Sequence, residues 1–241
     1  MAAVMDWLLK FATSSSSEHL CTLKHGRGMV STLDEQVRST ESRPYRMRKR
    51  AEQVNETRQR ITEAAVHLHT TIGPASTTIS ALAEQAGVTR LTVYRHFPDD
   101  EQLFAACRNH WLVLHPPPDA SRWLEVPPIE RRARQAFDEL YGWYADNCQE
   151  LFPIYRDFAT SPPAIREGMR AADANAADAL VEGAEVRGTA HRLLRATAGH
   201  LVSFWTWRSL VHDHGLAHGQ GVRLATSWLV AAGSDGGAQP R

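Results

Sequence analysis

The spacing of apolar side chains along the chain is helical. Ile61, Ala64, Ala65 and Leu68 fall at i, i+3, i+4 and i+7, which predicts a helix over about 52–71, stopped by Gly73-Pro74. Ile79, Leu82, Ala83 and Ala86 repeat that spacing in a shorter helix with Thr78 as N-cap. Gly87 then supplies the positive φ that ends a helix at low cost, Val88 puts an apolar plug in the turn, and Thr89 caps a third helix. A fourth begins at Pro98-Asp99, with Asp99 and Gln102 spaced as in a capping box and Leu103, Cys107, Trp111 and Leu114 on its apolar side. PPPDASRW and VPP break the pattern and mark a domain boundary.

Beyond Glu130 the helical spacing returns. Ala133, Ala136, Phe137, Leu140, Tyr144 and Cys148 form a long stripe. An alanine-rich helix is expected around Arg170 to Val181, a strong one over His191 to Val211, and a last one from about Val222 to Ala232, with HDHGLAHGQG read as a loop. No segment alternates with period two over a useful length. The expected fold is therefore all-α: a disordered extension over 1–44, a first helical unit over 45–114, a second over 115–233, and a loose tail over 234–241. Met29 and Met47 offer alternative natural starts, in which case much of the extension is absent from the cellular protein.

Two short helices joined by an Ala-Gly-Val-Thr turn are the local chemistry of a helix-turn-helix, whose second helix enters the DNA major groove. If Val93 and Phe97 face the core of such a unit, Leu91 and Arg95 face out, flanked by Thr92 and Tyr94. Arg95 suits guanine or a phosphate, Thr92 and Leu91 a thymine methyl, and Tyr94 and His96 phosphate oxygens.

Charge changes this picture only locally. With 27 basic and 27 acidic side chains the chain is formally neutral, so it is no general polyanion binder. Residues 43–108 nevertheless carry ten Lys or Arg against seven Asp or Glu, and five of those cations lie in RPYRMRKR, a candidate phosphate-contacting arm. Three scattered cysteines without a CxxC indicate neither a disulfide framework nor a zinc ribbon and fit a reducing cytoplasm. No apolar run approaches membrane-spanning length, and the first residues lack the basic region of a signal peptide.

Four linked pieces carry a family resemblance: RQRITEAAVHLHTTIG, the Thr77-Thr78 pair, ISALAEQAGVT and YRHFPDDEQLF, together covering about Arg58 to Phe104. In these the chain resembles the TetR/AcrR family of bacterial transcriptional regulators. The resemblance implies an all-helical homodimer without a cofactor, an amino-terminal domain that binds a double-stranded DNA operator, and a variable carboxy-terminal domain that dimerises and binds a small-molecule effector. It also implies that Thr78, Thr89, Tyr94 and His96 hold the DNA backbone while Arg90, Leu91, Thr92 and Arg95 lie at or near bases. One position departs from the pattern. Where the family commonly has a phosphate-contacting lysine near the start of the fourth helix, this chain has Asp100, so Arg58 or the basic arm is expected to compensate.

The second unit carries weaker signals. Trp143, Tyr144, Phe158, Phe204 and Trp205 are candidates for an apolar effector pocket, and core packing is the competing role for each. Trp205 and Trp228, in the last two helices, are candidate dimer anchors. His212, Asp213 and His214, with His218 nearby, raise a second function, a metal-dependent hydrolase. Against it, His212 and His214 are two residues apart and nothing else in the chain completes a ligand set. The expected function is a sequence-specific, non-enzymatic regulator, a repressor released from a palindromic operator by a small, largely apolar effector.

Overall fold

A computed structural model describes the backbone of residues 33–234 and the side chains of residues 45–234. Most of the expected extension and nearly all of the expected tail lie outside the described residues. Among those described, the regular structure is helical: α1 Leu33–Thr71, α2 Ile79–Gln85, α3 Arg90–His96, α4 Asp100–Leu114, α5 Ile129–Arg156, α6 Pro163–Val181, α7 Gly188–Leu201, α8 Phe204–Trp207 and α9 His218–Ser234. Short 3-10 turns stand at Pro74–Ser76, Ala120–Glu125 and Phe158–Thr160, and one turn of π-helix at Arg208–Asp213. None of the helices in the described region is long and apolar enough to cross a membrane.

The chain divides into two units, residues 1–57 and 58–241. In the first, helix begins at Leu33, inside the stretch expected to be unstructured. Residues 45–56 are exposed all round, with Arg48 and Glu52 paired across one turn at 3.6 Å. Helix here follows from the run of Glu, Gln, Arg and Lys, good helix formers that need no apolar stripe, so hydrophobic periodicity had nothing to detect.

In the second unit, the remainder of α1 buries Ile61, Ala64 and Ala65 against Leu82, Ala83 and Ala86 of the α2 segment, Val93 and Phe97 of the α3 segment, and Leu103 and Cys107 of α4. A larger core gathers α5, α6, α7 and α9 around Phe137, Tyr141, Leu180, Leu194, Leu201 and Leu229. Arg132 of α5 is buried within it without a carboxylate. Its guanidinium donates to the carbonyls of Val126, Ala179 and Glu182, the last two at the carboxy-terminal end of α6, where the helix dipole favours a cation.

A polar clasp ties the turn after α1 to the end of α5. Asp157 is buried and accepts from the Ala75 amide at 3.1 Å and from Arg156 Nε at 2.7 Å, while Arg156 Nη2 donates to the Ile72 carbonyl at 2.9 Å. Gly73 fits this clasp for two reasons. Its φ is +94°, and a Cβ there would collide with Arg156 and Asp157. The Arg156 hydrogen bonds and the Ala75 amide hold the Asp157 carboxyl below the usual carboxylate range. A carboxyl depressed in the folded state contributes stability above its unfolded pKa and loses it as pH falls through the folded value. Thermal melts across pH 3 to 7 should therefore show wild-type stability falling on acidification, and Asp157→Asn should flatten that slope. An unchanged slope would remove Asp157 from the acid response.

The carboxy-terminal helices differ from expectation in two places. The helix predicted over His191–Val211 stops at Leu201. Tyr141 Oη donates to the Leu201 carbonyl at 2.9 Å, Tyr144 Oη to the Val202 carbonyl at 2.8 Å and Thr206 Oγ1 to the His200 carbonyl at 2.6 Å, so side chains, the two tyrosines from far along the chain, satisfy the groups a helix end leaves free. Ser203 then caps α8 by accepting from the Trp205 amide at 3.3 Å. The second difference is the predicted HDHGLAHGQG loop. Its first residues complete the π turn and its last begin α9, where Gln220 Oε1 accepts from the Ala217 amide at 2.8 Å. Gly221 is there for close approach, because a Cβ would stand 2.9 Å from Val211 Cγ2 and 3.9 Å from the Tyr141 ring.

Candidate nucleic-acid interface and effector cavity

The helix-turn-helix is built as its local chemistry requires. Thr78 Oγ1 accepts from the Ala81 amide at 3.1 Å to start α2, Gly87 turns at φ +64°, and Thr89 Oγ1 accepts from the Thr92 amide at 3.2 Å to start α3. Val93 is fully buried and Phe97 nearly so, which orients the rest of α3 outward. Arg90, Leu91, Tyr94 and Arg95 are exposed, Leu91 at 69% despite its apolar side chain. Thr92 and His96 are half-buried at the edges of this face, and Thr89 Oγ1 and Thr92 Oγ1 lie 2.9 Å apart. Burial and the neighbouring Arg58 and Arg95 guanidinium groups lower the His96 pKa.

Arg58 sits apart from this outward set. Its guanidinium stacks over the Phe97 ring, 4.0 Å from the centroid, and donates to the His96 carbonyl at the end of α3. In this position it fixes the exit of α3, and any phosphate contact falls to its remaining N–H groups. At the start of α4, Asp99 accepts from the Gln102 amide at 2.8 Å and from Gln102 Nε2 at 2.7 Å. With Asp100 and Glu101 beside it, this helix start presents carboxylates where an anion would otherwise bind.

A cavity of about 250 Å³ lies within the same folded unit. Val66, His69 and Thr70 of α1 and Phe104, Arg108, Trp111 and Leu112 of α4 form one side. Leu140, Trp143, Tyr144, Leu151 and Tyr155 of α5 and Ile165, Met169 and Asp173 of α6 are among the residues of the other. Trp111 and Trp143 meet edge to face at 5.8 Å. Burial pushes the His69 pKa down to about 4, so His69 is neutral in this wall.

Of the five aromatic residues singled out by sequence, Trp143 and Tyr144 line the cavity. Tyr144 does so with its ring, its hydroxyl being engaged by the Val202 carbonyl, and Trp143 Nε1 donates to the His115 carbonyl at 3.3 Å. Phe204 is fully buried behind the wall, stacked on Tyr155 at 4.5 Å. Phe158 packs under Arg170, and Trp205 is 45% exposed. None of these three lines the cavity. Sequence reasoning missed Arg108, His69, Met169 and Asp173. A signal for Asp173 existed: it falls eight residues after Ile165 and four after Met169, a carboxylate on an otherwise apolar helical stripe.

The histidine cluster is dispersed. His212 Nδ1 lies 3.0 Å from Asp213 Oδ1, whose other neighbour is Arg208 at 3.6 Å, while His218 Nε2 pairs with Asp138 of α5 at 2.9 Å. Among the described residues, no three His, Cys, Asp or Glu side chains are placed to share a metal ion.

Residues 61–107 match the model of the family described as bacterial regulatory proteins, tetR family. The chain is 41% identical over 58 residues to the HTH-type transcriptional regulator AcrR of Shigella flexneri, covering 24% of this chain and 27% of that protein. It is 41% identical over 75 residues to SrpR of Pseudomonas putida, another HTH-type transcriptional regulator, covering 30% of this chain and 35% of that one. TtgW, an uncharacterized HTH-type transcriptional regulator also from Pseudomonas putida, is likewise 41% identical over 75 residues, covering 30% of this chain and 56% of that protein. The matched stretch thus spans about a quarter to a little over half of these relatives.

Proposed function

We propose, from the match of residues 61–107 to the tetR family model and from the likeness to HTH-type transcriptional regulators, that the chain is a TetR/AcrR-family regulator, a ligand-responsive repressor that binds an approximately palindromic operator as a homodimer. The observation that carries this reading is the outward face of α3. Two cations, an aromatic hydroxyl and an exposed leucine stand on a helix capped by Thr89 and held from behind by Val93 and Phe97. That combination suits base edges and phosphates of the major groove. Thr78, Thr89, Tyr94 and His96 take backbone contacts, Arg90, Leu91, Thr92 and Arg95 lie at bases, and Arg58 positions the helix exit. Two copies meet through α7 and α9, whose exposed Leu193 and Trp228 suit interface anchors, together with Trp205 of α8. Their recognition helices then reach half-sites about one helical turn apart.

The cavity is the effector site in this reading. Its occupant touches α1 and α4, which belong to the DNA-binding helices, as well as α5 and α6. An effector that prefers one setting of α4 therefore shifts the spacing of the two recognition helices by its differential affinity for the two states. A gel shift with the DNA flanking the protein's own gene, against excess unrelated competitor, tests the function; a complex that competitor removes as readily as the specific fragment would refute it. The carboxylates at the start of α4 give a further expectation. Asp100→Lys should tighten operator binding and steepen its salt dependence by about one unit of log–log slope, the signature of one added phosphate contact. An unchanged slope would place Asp100 away from the DNA backbone.

A further inference from the structure

The effector cavity is apolar except for a few charged groups, and those do not balance. Glu150, Arg108 and Asp173 all line it, while the neutral His69 contributes no charge. Two carboxylates thus face one guanidinium. Glu150 is already engaged, accepting from Trp111 Nε1 and lying 3.8 Å from His115 Nε2. Asp173 pairs with no described cation, and burial is the sole influence resolved on its carboxyl, which it raises to about 6. It belongs to the cavity-lining stripe of α6, among Ile165, Met169, Ala172 and Ala176. Arg108, on α4, has a long side chain able to carry its charge toward water, an option the short aspartate lacks.

We propose that the effector is an amphipathic amine, its ammonium group held by Asp173 and its apolar body lying among Trp111, Trp143 and Tyr155. The ammonium supplies the missing positive charge and the hydrogen-bond donors that Asp173 lacks. The aromatic rings among the lining residues favour a cation further and accommodate a ring. This inference rests on reading the cavity as the effector site, and the ligands chosen to test it separate the two claims.

The full chain is titrated at pH 7.5 with phenylbutylamine, phenylbutanol and phenylbutanoate, one scaffold with a cationic, neutral or anionic end, following tryptophan fluorescence. The amine is expected to bind at least about tenfold more tightly than the alcohol, a difference equal to about 1.4 kcal/mol. Asp173→Asn should abolish that preference. Acidifying the wild-type protein to pH 5 should shrink it as Asp173 takes up a proton, with Arg108 still charged and His69 still mostly neutral; this arm stands even if the variant folds poorly. Tightest binding of the carboxylate, or an amine preference that survives both Asp173→Asn and pH 5, would overturn the proposal. Equal binding of amine and alcohol would overturn the charge assignment yet keep the cavity as a binding site. Failure of all three to bind would overturn both.

Discussion

Replacing Tyr94 and Arg95 together by alanine should abolish sequence-specific DNA binding while leaving the fold intact. Both side chains are exposed on α3, whose orientation is set by buried Val93 and Phe97 and whose start is capped by Thr89. Losing the Arg95 base contact costs about 1–3 kcal/mol and losing the Tyr94 phosphate contact adds to it, so a guanidinium and a phenol removed together should weaken operator affinity by a factor on the order of 100 or more. Stability should change little, by about 0.5 kcal/mol or less, because neither side chain fills core volume. A gel shift paired with a thermal melt measures both quantities. Retained specific binding would take α3 out of the role assigned to it, and a large drop in melting temperature would make the two residues structural.

The second large effect is expected at Phe204, which sequence suggested for a ligand pocket and which is fully buried. Its ring stacks on Tyr155 at 4.5 Å and meets Tyr144 edge-on at 5.5 Å and Trp207 at 5.5 Å. Phe204→Ala should cost about 3–5 kcal/mol, the range for emptying a phenylalanine site in a core that relaxes only partly. Because Tyr155 and Tyr144 form part of the cavity wall, ligand binding should weaken as well, as a consequence of lost packing. Denaturant unfolding decides the matter: a cost under about 1 kcal/mol would mean that Phe204 is not the keystone of that aromatic cluster.

The helix-turn-helix region was legible because its determinants are local. Four-residue spacings placed Ile61, Leu82 and Ala83 in the core, and the positive φ of Gly87 and the caps at Thr78, Thr89 and Asp99 stand where short-range chemistry put them. What stayed hidden depends on partners distant in sequence. Arg58 reads as a surface cation until α3 folds its His96 carbonyl and Phe97 ring against it. The end of α7 at Leu201 is satisfied in part by the hydroxyls of Tyr141 and Tyr144, some sixty residues away, which no window around Leu201 reveals. The glycines near His218 read as loop formers, yet Gly221 permits tight helix packing on Val211 and Tyr141. The cavity was half-legible for a similar reason: aromatic content drew attention to Trp143 and Tyr144, while Asp173 stands out only once its helical stripe is seen to line the cavity.

Footprinting of the full chain on the DNA flanking its own gene tests the central claim most directly. The account predicts two protected half-sites about one helical turn apart on an approximately palindromic sequence, both lost on substitution of Tyr94 and Arg95. Absence of a protected site, or a footprint indifferent to that double substitution, would contradict it.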